Sequence, residues 1–238
     1  LCEKTGADIE EVSKAIGSDK RIGEHFLKAG PGFGGSCFKK DISNLVYISD
    51  HYGLKEVSNY WEKVIDINNW QKKRISAIVI EKLFGTISQK KIAILGFSFK
   101  ANTNDTRESP AISICKELIE EGANLNIYDP KVNEIQIAKD LEMGAEFDDK
   151  IENDEGIWSF SKSIFDAAKG ADAIVILSEW EQFRTIDWDK VSSLMRSPSW
   201  LFDTRIISNI EEAISSGLNV WKIGYGSITS VKNKDMSD

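Results

Sequence analysis

Lys91-Ile92-Ala93-Ile94-Leu95-Gly96 is a short, continuous apolar run that opens on a lysine and closes on a glycine. It is too short for a helix and reads as a buried strand. The same texture returns at Asn124 to Tyr128, Asp172 to Leu177, Trp200 to Asp203 and Asn219 to Ile223. Helical patterns fill the intervals, at 110–121, 134–142, 163–169, 187–196 and 209–216. Strands alternating with helices imply βαβ units and a parallel sheet. Pro110 suits the first turn of its helix, with Ser109 as the cap. Residues 143–161 read as a loop or short hairpin, and their Asp148, Asp149, Glu152, Asp154 and Glu155 as a solvated acidic loop rather than a metal site.

Upstream of Ser88 the pattern is helical. Asp8 is placed to cap a segment ending near Gly17. A glycine-rich stretch at 30–35 interrupts the pattern. Helical spacing resumes at Asp41 and ends near Gly53. The next segment, about 55–84, carries apolar residues mostly three or four apart, from Val57 to Leu83. As one helix it would span about 40 Å at 1.5 Å per residue, a length typical of a domain connector or subunit interface. Two helices with a break near Asn68-Asn69 is the alternative. The texture change sets a boundary between a helical region, 1–87, and an α/β domain, 88–238. The long segment also carries large apolar side chains, Trp61 and Trp70 among them, that a homodimer interface would bury.

The chain has 238 residues, with 30 basic against 38 acidic side chains and a net charge of −8. That balance excludes a general nucleic-acid binder, which needs clustered lysine and arginine. The 41% hydrophobic content and seven tryptophans exclude disorder. No run approaches the roughly 18 apolar residues of a membrane helix. The chain opens on Leu1 rather than methionine and reads as a piece of a longer protein. Cys2, Cys37 and Cys115 form no CxxC pair, and an odd count without a secretory signal fits the reducing cytoplasm. With two histidines, His25 and His51, neither in a partner pattern, a zinc site or serine triad is poorly supplied.

Two stretches carry chemistry. In Gly30-Pro31-Gly32-Phe33-Gly34-Gly35-Ser36-Cys37-Phe38-Lys39-Lys40-Asp41 the glycines let a backbone approach a ligand closely. Cys37 follows at the start of a helix, where the helix N-terminus, Lys39 and Lys40 favour the nucleophilic thiolate. Asp41 lies about one helical turn on. A nucleophilic thiol beside a carboxylate that handles protons is a covalent-catalysis pair. A flexible turn with an incidental cysteine is the plain alternative. The second stretch, Gly96 to Pro110, links a strand to a helix without GxGxxG. Its Lys100 and Arg107 suit phosphate or sugar oxygens instead. Phe99-Lys100, Asp129, Glu179-Trp180 and Asp203-Thr204-Arg205 all fall at carboxyl ends of strands, the edge where open α/β sheets carry ligands. Cys115 shares a helix face with Ile112, Leu118 and Ile119 and reads as core.

GFGGSCFKKD (Gly32 to Asp41), GFSFKANTNDTRESP (Gly96 to Pro110), IYDP (Ile127 to Pro130) and FDTR (Phe202 to Arg205) together resemble the UDP-glucose/GDP-mannose dehydrogenase family, in its order and with similar spacing. UDP-glucose is the first choice of substrate. GDP-mannose and UDP-N-acetylmannosamine dehydrogenases share the architecture. A non-catalytic UDP-sugar-binding module is the reading from another class. The resemblance implies a helical dimerisation region, a long connecting helix and a Rossmann-like UDP-binding domain. It implies oxidation of UDP-glucose to UDP-glucuronate with two NAD per turnover, through a thiohemiacetal and a thioester on Cys37. Asp41 matches the carboxylate that helps to activate the hydrolytic water. Lys28, Gly30, Gly32, Phe33 and Gly34 match the loop that cradles the sugar nucleotide. Phe99, Lys100 and Arg205 match further substrate contacts. Cys37, Lys40 and Arg107 match positions that touch NAD, and Arg21 an arginine that reaches the neighbouring subunit's substrate. Two departures stand out: Lys39 replaces a proline found in many bacterial members, and the family's GxGxxG half is not in this sequence.

Overall fold

The computed structural model describes residues 1–144 and 156–228. The acidic run Asp148, Asp149, Glu152, Asp154 and Glu155 lies outside them. Four helices come first: α1 (Cys2–Thr5), α2 (Ile9–Gly17), α3 (Phe38–His51) and α4 (Lys55–Lys82). The remainder alternates as β1 (Lys91–Leu95), α5 (Pro110–Glu120), β2 (Asn124–Tyr128), α6 (Glu134–Leu141), β3 (Trp158–Phe160), α7 (Ile164–Ala168), β4 (Ala173–Ile176), α8 (Trp188–Leu194), β5 (Trp200–Asp203), α9 (Ile210–Ser215), β6 (Asn219–Lys222) and β7 (Gly226–Ile228). Every strand and helix expected downstream of Ser88 is present within a residue or two. The strand β3 falls in the stretch expected to be a loop or hairpin. Its three residues give too little alternation to be seen, and pairing with β2 creates it. The Asn68-Asn69 break is absent: α4 runs through it for 28 residues.

The sheet order is β3-β2-β1-β4-β5-β6-β7, parallel except for the last pair. The order 3-2-1-4-5-6 is that of a Rossmann-type doubly wound sheet. Period-2 alternation splits each central strand between two cores. Ile92, Ile94, Ala173, Val175 and Phe202 face one core, closed by α5, α6 and the C-terminal half of α4. Ala93, Leu95, Ile174, Ile176 and Leu201 face the other, closed by α7, α8 and α9. Both faces are therefore covered, which is why these strands read as unbroken apolar runs. Ile75 and Val79 of α4 and its C-cap Leu83 belong to the first core, so the long helix is built into the sheet packing rather than merely attached.

The N-terminal helices return to the last strands. Asp8 caps α2, accepting from Glu10 N at 2.7 Å, and its Oδ1 lies 2.6 Å from the Tyr225 hydroxyl. Glu3 accepts from Gly224 N at 2.9 Å and pairs with Arg74. The Arg74 guanidinium lies 5.8 Å from the ring centres of both Trp70 and Trp221. Among the described residues, no helix is long and apolar enough to cross a membrane.

Two buried carboxylates shape the carboxyl edge of the sheet. Asp129, after β2, accepts from Phe97 N (2.7 Å), Ser98 N (3.0 Å) and Trp180 Nε1 (3.3 Å) through one oxygen. Its other oxygen takes Lys131 N (2.8 Å) and Val132 N (2.9 Å). Asp203, the last residue of β5, takes Arg205 N, Ile207 N and Ser208 N at 2.8–3.0 Å. Neither is free for a ligand, although both fall at the edge that the sequence marks for one. Asp129→Ala would strand several buried donors at once. It should lower unfolding free energy by about 3 kcal/mol or more, read from urea denaturation. A loss below about 1 kcal/mol would show that water satisfies those donors.

Candidate functional site

A cavity of about 1310 Å³ opens between α2, the residue 24–34 segment, α4 and the carboxyl ends of β1, β4 and β5. It sits at the β1/β4 switch point, where an open α/β sheet offers a crevice. The backbone pinches there: a Cβ on Gly96 would collide with Ser178. Lys28, Gly30, Gly32, Phe33, Gly34, Phe99, Lys100 and Arg205 all line this cavity, as do Glu179 and Arg184. The two chemistry-bearing stretches, about 70 residues apart in the sequence, thus form two walls of one space.

The glycine-rich loop is held from both sides. Asn68 of α4 accepts from Phe33 N at 2.8 Å and donates to Phe33 O at 3.2 Å, and Gln71 Nε2 donates to Gly30 O at 3.0 Å. From the sheet side, Gly35 N donates to Arg107 O at 2.8 Å, and Lys39 Nζ meets Glu108 at 2.7 Å. A Cβ on Gly34 would run into the Glu108 carbonyl, so only glycine lets the two loops close. Asn68, Gln71 and the Lys39–Glu108 pair were not singled out in the sequence. The Asn68-Asn69 pair was the signal: polar residues inside an amphipathic helix mark a specific partner as readily as a break.

Arg205 is the anchored cation. Its Nε donates to Leu177 O at 2.8 Å, and its Nη1 lies 3.3 Å from Glu179 Oε2. Burial pulls its pKa below the ordinary arginine value, while Glu179 and Asp203 oppose the shift. Lys100 is differently placed, its ammonium 5.3 Å from the centre of the Phe99 ring. His25, which has no role in the sequence pattern, also lines the cavity.

Cys37 is exposed and stands as the N-cap of α3. Asp41 is exposed one turn on, its N–H donating to Cys37 O at 2.8 Å. Neither lines the cavity; Gly34 and Phe38, on either side of Cys37 in the chain, do. Lys40 and Arg107 are exposed outside the cavity. Asp105 bonds the Arg107 guanidinium and raises its pKa, and the nearby Cys37 adds to the shift. Arg21 is solvent-exposed, clasped by its own Asp19 at 2.6 Å, and reaches no part of this chain's cavity. Cys115 is fully buried in the first core, and desolvation pushes its thiol far above the ordinary range.

Comparison with known proteins identifies the family. The family description "UDP-glucose/GDP-mannose dehydrogenase family, central domain" matches residues 1–70, and the same family's "UDP binding domain" matches 93–209. The UDP-glucose 6-dehydrogenase of Mus musculus is 47% identical over 227 residues, covering 94% of this chain. The chain belongs to the UDP-glucose/GDP-mannose dehydrogenase family. A plant member, UDP-glucose 6-dehydrogenase 4 of Arabidopsis thaliana, is 45% identical over 231 residues, again 94% of this chain. The chain spans 45% of the mouse relative and 48% of the plant one, about half of each. The fold matches a UDP-glucose dehydrogenase structure from Pyrobaculum islandicum with TM-score 0.72 and 24% identity, over 95% of this chain and 45% of that one. A UDP-D-ManNAc dehydrogenase from Pyrococcus horikoshii matches with TM-score 0.73 and 24% identity, over 96% and 47%.

The contrast between thiols is directly measurable. With iodoacetamide, native protein should be alkylated at Cys37 well before Cys115, which should react only after denaturation. Mass spectrometry of the peptides decides it, and native labelling of Cys115 at the Cys37 rate would overturn the burial argument.

Proposed function

We propose that this chain is the substrate-holding part of an NAD-dependent UDP-glucose 6-dehydrogenase, which oxidises the sugar 6-hydroxyl to the carboxylate of UDP-glucuronate. One observation carries the reading: the glycine-rich loop that leads into Cys37 lines the same cavity as Lys100 and Arg205, and its Gly30 lies against the Arg205 guanidinium. Cations in the cavity and a thiol beside its rim suit a diphosphate held within and a sugar carbon reaching out to the sulfur. The relatives named UDP-glucose 6-dehydrogenase make UDP-glucose the substrate of choice.

Within that reading the residues divide the work. Lys100 and Arg205 hold the diphosphate, and the backbone from Lys28 to Gly34 closes over the sugar. Cys37 sulfur adds to the C6 aldehyde carbon, giving a thiohemiacetal, and retains that carbon as a thioester after oxidation. Water then adds to the thioester, Asp41 takes its proton, and sulfur departs as the carboxylate forms. NAD, when bound, takes up the two hydrides lost by the sugar carbon, one per NAD. The exposed Lys40 and Arg107 beside Cys37 fit a dinucleotide arriving from the solvent side of the thiol. The site lies in the cytoplasm, with the other substrates of sugar-nucleotide chemistry.

The protein acts as a homodimer or higher oligomer. Tyr47 and Tyr52, from α3 and its C-cap, and Tyr60, Ile67 and Trp70 of α4 are exposed in the single chain. An isologous interface would bury them. Arg21, unused by its own cavity, completes the site of the partner copy.

Two experiments test this reading. Charge-assisted hydrogen bonds contribute about 1.5–3 kcal/mol each, so Lys100→Ala should weaken UDP-glucose binding at least about tenfold by calorimetry. In the full-length protein Cys37→Ser should keep that affinity and lose turnover. Unchanged affinity in the first variant, or normal turnover in the second, removes that residue from its role. For the shared site, full-length Arg21→Ala and Cys37→Ala should each be inactive, while verified mixed dimers regain activity from one intact site. Dead heterodimers would sink the shared-site arrangement.

A further inference from the structure

Across the glycine-rich loop lies a second, smaller cavity of about 450 Å³, between α4, the start of α5 and the Lys39–Glu108 pair. Six charged residues line it: Lys39, Lys72, Lys73, Lys116, Glu108 and Glu117. Two of the lysines are already matched, Lys39 by Glu108 at 2.7 Å and Lys116 by Glu142 at 2.9 Å. Lys72 is not. It is only 7% exposed, yet it has no hydrogen-bond or ion-pair partner among the described residues. Its stem runs against Gly32, where an added Cβ would lie 3.2 Å from Lys72 Cγ, and the residue ends at the smaller cavity.

Lysine is almost never fully buried unless paired, because removing an ammonium from water is costly. Burial lowers the Lys72 pKa here; Glu108 opposes the shift, and Lys39 adds a smaller repulsion. The UDP cavity does not use this charge, since its cations Lys100 and Arg205 stand on the far side of the loop and Lys72 is absent from its walls. The uncompensated charge therefore faces a space that nothing assigned so far fills. With Lys39 and Lys116 neutralised by Glu108 and Glu142, Lys72 and Lys73 against Glu117 leave one positive charge in excess around the cavity. A phosphate-class oxyanion suits that excess, and lysine binds phosphate as a point charge.

We propose that this cavity is a second anion site, separate from the UDP cavity, that takes a phosphate-class oxyanion on Lys72 with Lys73 at its rim. The site lies directly beneath the glycine-rich loop. An anion bound there also removes the repulsion that Lys72 exerts on Lys39, whose pairing with Glu108 holds the Cys37 loop to the sheet.

Inorganic pyrophosphate titrated calorimetrically into the 238-residue chain, with UDP at saturation, tests this. Binding should persist with UDP present and should survive Lys100→Ala. Lys72→Met should weaken it at least tenfold. Because Met keeps the stem and removes an unpaired buried charge, that variant should melt no lower than the parent. Pyrophosphate should raise the melting temperature of the parent but not of the variant. Exposed Lys73→Ala, which carries no folding risk, should weaken binding at least threefold. Absence of binding at millimolar pyrophosphate, displacement by UDP, or unchanged affinity in Lys72→Met or Lys73→Ala overturns the site.

Discussion

The Asp129 carboxylate is the constraint on which the binding edge depends. Donors from the turn after β1, the turn after β2 and the Trp180 indole after β4 converge on its two oxygens. Each donor is buried or partly buried and would otherwise lack a partner. One side chain therefore sets the relative positions of three strand ends. Asp203 does the same for the turn that carries Arg205. The cations that face the cavity are aimed by carboxylates that never touch it.

The second constraint is the narrow gap that the glycine-rich loop occupies. Asn68 and Gln71 hold it from α4, while Arg107 and Glu108 hold it from the sheet. Because α4 also supplies Ile75 and Val79 to the sheet's core, the loop is clamped between surfaces that are themselves fixed to each other. A residue larger than glycine at position 34 would separate them. This is how a thiol on a helical segment comes to stand beside a cavity built from strand ends.

The two thiols contrasted here, Cys37 and Cys115, have the same intrinsic chemistry and opposite surroundings. Cys115 is sealed in apolar core, where desolvation disfavours the thiolate. Cys37 is exposed at a helix start beside the cationic Arg107. Reactivity follows from position in the fold rather than from residue type.

The sheet was legible because its strands are buried on both faces. Apolar character then persists residue after residue, and the run from Lys91 to Leu95 needs no tertiary knowledge to be read. The caps Asp8 and Ser109 were legible because capping is local chemistry between neighbours. The motif residues of the glycine-rich and strand-edge loops were legible by type, and the resemblance supplied roles for them. Tertiary structure decided the rest. It turned Asp129 and Asp203 inward, ran α4 unbroken past Asn68, made a strand of Trp158–Phe160, and left Lys72 buried without a partner among the described residues. Each of these depends on a group distant in sequence, and a linear pattern records a residue's own chemistry but not the neighbour that folding brings against it.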